Sequence, residues 1–457
     1  MASKPFHISR RHFLKSSLAT AAATGLPLWF LESERATAAP APKRPGPNDR
    51  PGVALVGCGG QGRGDAHTAQ RFGEIVAVCD ADLSRAERAA AQFTRDGKKP
   101  KVYRDFRKLM QQPEVELIVN GTPDHWHTFV NLLAVRTGKD VYSEKPLTLT
   151  IDEGKRLVKA VRKYKRIFQV GSQQRSDKNF RLACELVRNG RIGKLQEMIV
   201  GLPTGPREGP FERIPVPETL DWDLFVGQAP MMEYLGVRHV TKTGDTESVS
   251  YESRCSFGSF RWWYGFSGGQ MTDWGAHHND IAQWGNGTEL SGPVEVQGKS
   301  LIEMIPGGFQ TASQYEVHYR YANGVGMTVT DEQRAPNGVK FIGSNGWIFV
   351  ARGNIEASQP ELLTEPLPAS ATRLYRSDDH MGNFFECVRN RQAPIAEAEI
   401  GHRSITVAHL GVISMRMGGL PLKWNPRREQ FTGEHSREAN KWLVREQRKP
   451  YNYSYIA

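Results

Sequence analysis

Cysteine is scarce and scattered in this chain. There are five in 457 residues, at Cys58, Cys79, Cys184, Cys255 and Cys387. The number is odd and no C-x-x-C occurs, which excludes a disulfide framework and a zinc ribbon and leaves buried free thiols as the simplest reading. A long apolar run is also missing. The stretch from Leu18 to Leu31 is broken by Gly25 and Pro27 and is too short for a comfortable bilayer span. A long basic run is missing as well. The formal charge is +11, but residues 1–38 carry five Lys/Arg against two Glu, and the remaining excess is spread thinly. That distribution argues against nucleic-acid binding. No internal repeat is visible.

What remains is the composition of a globular protein, 39% hydrophobic and 24% charged, long enough for two domains. The first residues read as an address. Arg10-Arg11 followed by Phe13, Leu14 and Lys15 resembles a twin-arginine export signal. Small residues Ala36 and Ala38 then stand at A-x-A spacing, so cleavage is expected after Ala38, with an exported, periplasmic mature protein. Residues 39–50 are Pro-rich and read as a linker.

The mature chain opens on "GVALVGCGGQGRGDAHTAQRFGEIVAVCDAD". An apolar strand, a G-x-G-x-x-G loop from Gly57 to Gly62, a helix, a second apolar strand and Asp80 follow in the order of a dinucleotide-binding βαβ unit. Gly57 permits the turn. Gly59, with Gly60 and Gln61, lets the backbone approach the pyrophosphate at a helix N-terminus, and Gly62 lets that helix pack on the strand. Asp80 is placed to accept from the adenosine ribose and favours NAD, although Arg85 leaves NADP open. Two further strand-to-turn passages bring Thr122-Pro123 and Glu144-Lys145 to the carboxyl ends of the strands, where such sheets bind ligands. The expected domains are a Rossmann unit over 51–170, an α/β substrate and oligomerisation domain with a mostly antiparallel open sheet over 171–420, and a tail over 421–457.

"MTDWGAHHNDIAQW", Met271–Trp284, is the other dense stretch. With a helix assumed over 269–284, steps of about 100° put Asp273, His277 and Asp280 on one stripe and His278 among apolar residues. His277 suits a general base, because an imidazole titrates near working pH. Asp273 is placed to fix its tautomer or bind a hydroxyl, and Lys145 to polarise a substrate oxygen. Asp280, Arg175 in "GSQQR" and Trp262 in "FRWWYG" are candidate substrate contacts. A metal on the Asp273/His277/Asp280 stripe is the rival reading, and is set aside because a nicotinamide already supplies an electrophile.

Together these residues resemble the glucose–fructose oxidoreductase / inositol dehydrogenase / rhizopine-catabolism (Gfo/Idh/MocA) family over about residues 50–457. The motifs are the Gly-loop with Asp80, "TPDHWH" at 122–127, "EKP" at 144–146 and "GGQMTDWGAHHND" at 268–280. The last carries the family's pattern at Gly268, Gly269, Asp273, Gly275, His277 and Asp280. The resemblance implies a Rossmann domain followed by an open-sheet domain that often supports dimers or tetramers. It implies that Lys145, Asp273 and His277 face nicotinamide and substrate, and it adds His127 to the cofactor-side residues. The expected activity is oxidation of a hydroxyl on a sugar, polyol or glycoside by a tightly held NAD(P). The alternative is a redox-neutral, NAD-dependent glycoside cleavage, as in some exported relatives.

Overall fold

The computed structural model describes residues 26–36, 46 and 50–457 except 244–245. The twin-arginine motif and Ala38 lie outside the described residues.

Six short strands form the first sheet: β1 (Gly52–Val56), β2 (Glu74–Cys79), β3 (Lys101–Tyr103), β4 (Leu117–Asn120), β5 (Asp140–Ser143) and β6 (Phe168–Val170). All pair in parallel, in the order β3-β2-β1-β4-β5-β6. Every residue of β1, β4 and β5 is buried, as expected of strands covered by helices on both faces. The order reverses between β1 and β4. The crevice above the carboxyl ends of those two strands is where ligands bind in such sheets.

The second domain is built on nine strands. They are ordered β16-β15-β14-β7-β13-β12-β11-β17-β18, and only β7 (Leu195–Leu202) and β13 (Gly326–Asp331) run parallel. The others are β11 (Glu295–Ser300), β12 (Tyr315–Arg320), β14 (Gly338–Gly343), β15 (Gly346–Ala351), β16 (Asn354–Ala357), β17 (Leu422–Asn425) and β18 (Gln430–Thr432). Strand β12 buries Tyr315, Val317 and Tyr319 and exposes His318 and Arg320, the alternation of a sheet with one covered face. Helices at Gly275–Asn286 and Ala398–Arg416 pack on the covered face. A smaller sheet joins β8 (Glu212–Arg213), β9 (Leu235–Thr243) and β10 (Thr246–Ser253).

Two segments depart from the sequence expectation. Residues 421–457 are not a tail. Strands β17 and β18 extend the large sheet, and the last residues return to the first domain, where Tyr453 stacks on Phe129 at 5.1 Å and Arg136 donates to the Ile456 carbonyl. Helix α1 (Leu28–Ala36) lies inside the segment expected to be removed on export, yet it packs into the main core with Phe30 and Leu31 buried. The helix His380–Asn390 also crosses back, placing Phe385 on Phe72 of the first domain at 5.3 Å.

Candidate active site at the dinucleotide cavity

The Gly-loop is shaped by close backbone packing. Gly57 has φ +90, and a Cβ there would lie 2.4 Å from the backbone of Gly121 and Thr122. A Cβ on Gly62 would lie 2.2 Å from the Gly57 carbonyl oxygen. Gly59 and Gly60 have open space instead, at the start of helix α2 (Gly60–Ala69). A pyrophosphate can therefore approach the amides at that helix end without meeting a side chain. Asp80 follows β2 and is fixed across the loop: its carboxylate accepts from Cys58 N at 2.7 Å and Asp82 N at 2.9 Å. Burial raises its pKa, and those two amides oppose the rise. Arg85 leans over the Phe257 ring at 3.4 Å, with Asp82 3.6 Å from its Nε.

These groups line a cavity of about 330 Å³. Gly57, Gly59, Gly60, Gln61, Asp80, Thr122, Pro123, Glu144 and Lys145 all face it, joined by Trp126, Phe257 and Arg261. Its glycine floor, terminal carboxylate and apolar walls fit a dinucleotide. His127 was expected on this surface and does not line it. Its ring spans two carbonyls, Thr122 O at 2.8 Å and Pro146 O at 2.8 Å, and so braces the turn after β4 against the turn that carries Lys145. Burial holds its pKa down at about 4. Gly62 does not line the cavity either; its part is the close packing beneath the loop.

The stripe 269–284 is helical in two pieces, α5 (Gln270–Asp273) and α6 (Gly275–Asn286), joined through Trp274. Asp273 ends the first piece, behind Lys145 and Arg261 of the cavity lining and not itself part of it. It is ion-paired with Lys145, and Arg261 Nε lies 3.3 Å away. Burial works to raise its pKa, but Lys145 and Arg261 outweigh that and hold the carboxyl far below the usual range. Asp273 therefore orients Lys145 rather than fixing the His277 tautomer. His277 is buried close by, its Nδ1 without a hydrogen-bond partner and its ring centroid 6.1 Å from that of Trp274. Burial, then the positive charge of Lys145, pushes its pKa well below the ordinary histidine value, so the ring is neutral at working pH. Its neighbour His278 turns into the packing, with Nε2 2.7 Å from Asn337 Oδ1.

Three expected substrate contacts are placed elsewhere. Arg175 Nε and Nη2 donate to the two carboxylate oxygens of Asp280 at 2.6 and 2.9 Å, and Ser404 Oγ donates to the same carboxylate. The pair is 2% and 1% exposed, and Trp284 lies under the guanidinium at 4.8 Å. Both carboxylate oxygens are taken up by Arg175 and Ser404, so this is an internal tie between helical segments. Trp262 packs on Phe309 at 6.2 Å in a satellite core, outside the cavity lining.

The structure also assembles groups that sequence reasoning did not assign. Arg261 shares Asp273 with Lys145. Asp124, at the start of helix α3 (Asp124–Arg136), accepts from Ser267, and burial raises its pKa to about 7 against the pull of Arg261. Asp65 on α2 is buried beside Glu144; burial raises both, the charge of Glu144 raises Asp65 further, and Asp65 as a hydrogen-bond partner favours the ionised Glu144. Arg352, in the turn after β15, lies 4.5 Å over the Trp274 ring. Arg261 sits in the aromatic run already noted and Asp124 within "TPDHWH", so both were within reach. Arg352 and Asp65 carry no local signal. Among the described residues no group of three or more His, Cys, Asp or Glu is arranged to hold a metal.

The comparisons agree with this geometry. Residues 52–172 match the model of an oxidoreductase family with an NAD-binding Rossmann fold, and 207–453 match that family's C-terminal alpha/beta domain. Residues 7–27 match the twin-arginine translocation signal sequence, which directs export to the periplasm, and no described helix is long and apolar enough to cross a membrane. A glycosyl hydrolase family 109 protein 2 of Shewanella sp. (strain ANA-3) is 33% identical over 204 residues, 41% of this chain and 44% of the relative. An inositol 2-dehydrogenase/D-chiro-inositol 3-dehydrogenase of Lacticaseibacillus casei is 35% identical over 145 residues, 31% and 41% of the two chains. The matched stretch thus spans less than half the length of these curated relatives. Among solved structures, the WlbA dehydrogenase of Bordetella pertussis, in complex with NADH and UDP-GlcNAcA, superposes with a TM-score of 0.59 at 17% identity, covering 82% of this chain and 99% of that one. The myo-inositol 2-dehydrogenase of Lactobacillus plantarum gives 0.55 at 19% identity, covering 82% and 99%. With both halves of the chain matched in order, this exported protein belongs to the Gfo/Idh/MocA family of NAD-binding oxidoreductases.

Proposed function

We propose that the protein oxidises a hydroxyl-bearing carbon of a sugar, polyol or glycoside, with NAD in the cavity above β1 and β4. The observation that carries this reading is that Lys145, which lines that cavity, is ion-paired with Asp273 and close enough to the buried His277 for its charge to act on that ring. The nicotinamide, when bound, accepts the hydride. The chain's own residues manage the proton. With Nδ1 of His277 buried, Nε2 is the nitrogen that takes the substrate's hydroxyl proton, and the neutral ring is free to do so. Lys145, aimed by Asp273, donates to the same oxygen as negative charge develops on it. Asp80 selects NAD, because its fixed carboxylate repels a 2′-phosphate and Arg85 is engaged with Asp82 and Phe257.

Export adds a constraint. A periplasmic enzyme has no dependable NAD pool, so the cofactor is tightly held and returned to its starting state in each cycle. Two chemistries satisfy this. One couples oxidation of one carbohydrate to reduction of another. The other is redox-neutral glycoside cleavage: oxidation of a ring hydroxyl, elimination of the aglycone, addition of water and re-reduction. The likeness to the glycosyl hydrolase family 109 relatives supports the second. The Lys145–Asp273–His277 set serves the proton step of either, and the oxidoreductase reading is taken as primary. The open face of the nine-stranded sheet is assigned to a homo-oligomer, a dimer or tetramer.

The test is to denature the purified exported protein and assay released NAD(H) and NADP(H). The native protein is then offered free sugars, polyols and chromogenic glycosides without added cofactor. Cofactor reduction with no glycoside release supports the dehydrogenase. Aglycone release without net reduction moves the assignment to glycoside cleavage. A protein that carries no cofactor and works only with millimolar NAD refutes tight binding.

A further inference from the structure

The twin-arginine signal and the fold make different claims on the same residues. The A-x-A spacing at Ala36 and Ala38 places a peptidase site after Ala38. Helix α1 (Leu28–Ala36) would then be discarded, yet it is built into the protein. Leu26, Phe30 and Leu31 are 4%, 1% and 5% exposed and belong to the main hydrophobic core. Trp29 Nε1 donates to the Leu363 carbonyl at 2.8 Å.

The charged contacts are more telling than the apolar ones. Glu34 is buried, and its carboxylate accepts from Arg181 Nη2 at 2.5 Å with Arg376 Nε 3.4 Å away. Arg376 Nη1 also donates to the Glu34 backbone carbonyl at 2.8 Å. Arg181, on helix α4 (Lys178–Arg188), is itself buried and covers the Phe30 ring at 5.2 Å. Its other carboxylate, Glu185, is shared with Arg373 at 3.2 Å. Loss of residues 26–36 would leave the buried Arg181 with Glu185, which it shares with Arg373, would take Glu34 from Arg376, which also pairs with Asp378, and would open an apolar slot to water. Burying a cation without its partner is among the costlier single changes to a fold. One residue past Arg376, Ser377 Oγ meets Ser176 Oγ at 2.8 Å, so the helix also fastens the stretch that leads back to the first domain.

We infer that residues 26–36, helix α1 with the two residues before it, are a structural part of the exported protein, so the leader ends upstream of Leu26 and not at Ala38. An alternative small-residue site exists at Ala19, Ala21, Ala22 and Ala23, inside the matched signal at 7–27. In function the helix is a clasp, bridging α4 and the 372–377 stretch.

The test is N-terminal sequencing and intact mass of the protein recovered from the periplasm of an exporting host. An N-terminus at Leu26 or earlier, including an uncut leader, is expected. Any N-terminus beyond Pro27, and Ala39 above all, overturns the inference. A second measurement does not depend on processing. In the full-length chain purified before export, Glu34→Gln keeps the helix's shape and removes the charge between Arg181 and Arg376. Its Tm is expected to fall by roughly 5 °C or more. Phe30→Ala is expected to fall likewise. Unchanged Tm in both variants overturns the proposal as surely as a cut at Ala38.

Discussion

Replacing Asp280 with asparagine keeps the side chain's size and removes its charge. In the structure this strips Arg175 of the carboxylate that it hydrogen-bonds, leaving it the more distant charge of Glu289, at a place where both partners of the pair are almost wholly buried. Arg175 cannot lose its proton, and Trp284 offers only a ring face. Removing one partner of a buried ion pair costs about 3–5 kcal/mol, because the remaining charge stays desolvated. At about 2–4 °C per kcal/mol, the domain that holds α6 should melt roughly 6–20 °C lower. The assay is thermal and urea denaturation of Asp280→Asn beside the wild type, with steady-state kinetics below the new transition. The expected outcome is a lowered midpoint with KM nearly unchanged. The double variant Arg175→Met/Asp280→Leu should recover most of the loss, since apolar groups of similar volume replace such pairs at little net cost. A midpoint within about 2 °C of wild type together with a KM raised about tenfold would refute the reasoning. Asp280 would then be reaching substrate.

Three further outcomes follow from the site. His277→Gln should lower kcat by about 10²–10⁴ with the cofactor retained, whereas His278→Gln should cost stability through Asn337 and leave kcat within a few-fold. Asp80→Asn should weaken NAD retention by about tenfold, read as NAD released on gel filtration, and narrow the preference over NADP. Asp124 sets a pH dependence. Its folded pKa, about 7, lies above the unfolded 3.8, so its stabilising proton is held below pH 4 and lost as pH rises through 7. Asp124→Asn should therefore gain stability relative to wild type between pH 5 and 8, by up to on the order of 3 kcal/mol. An equal difference at both pH values would show that Asp124 is already ionised at pH 5.

The cofactor half of the site was legible because its parts are local. Strand, glycine loop, helix and Asp80 follow one another in about thirty residues, and Gly57 and Gly62 stand where the backbone packing leaves no room for a Cβ. The substrate half was legible in azimuth but not in depth. Asp273 and Asp280 do fall on one stripe, but seven residues along a helix are about 10 Å. That carries Asp280 away from Lys145 to the buried end of Arg175, and a helical wheel has no coordinate for it. Trp262 misled for a related reason. An aromatic beside an active-site arginine has two faces to choose between, and Phe309, 47 residues on, decides which. Arg352 joins the site from a β-turn 79 residues after Asp273, and the C-terminal residues return to helix α3. Both are consequences of sheet order, which no local pattern encodes.

The carboxyls around Lys145 are sorted by their surroundings, and the sorting gives the cleft its polarity. Asp65, Asp124 and Glu144 are all pushed toward the protonated form by burial. Between the first and the last, the charge of Glu144 raises Asp65 further, while Asp65 as a hydrogen-bond partner favours the ionised Glu144. Gln61 Nε2 donates to Asp65 at 3.0 Å and Gln173 Nε2 to Glu144 at 3.0 Å, while Asp65 Oδ2 has no partner. A proton shared between the two acids relieves both their repulsion and that orphaned oxygen. Asp273 alone is driven the other way, by two cations at once. Lys145 and Arg261 therefore face one firmly ionised carboxylate, and the balance at the mouth of the cavity is positive. A hydroxyl that gives its proton to His277 leaves an oxygen rich in electrons, and a site with this balance favours that state over the neutral alcohol.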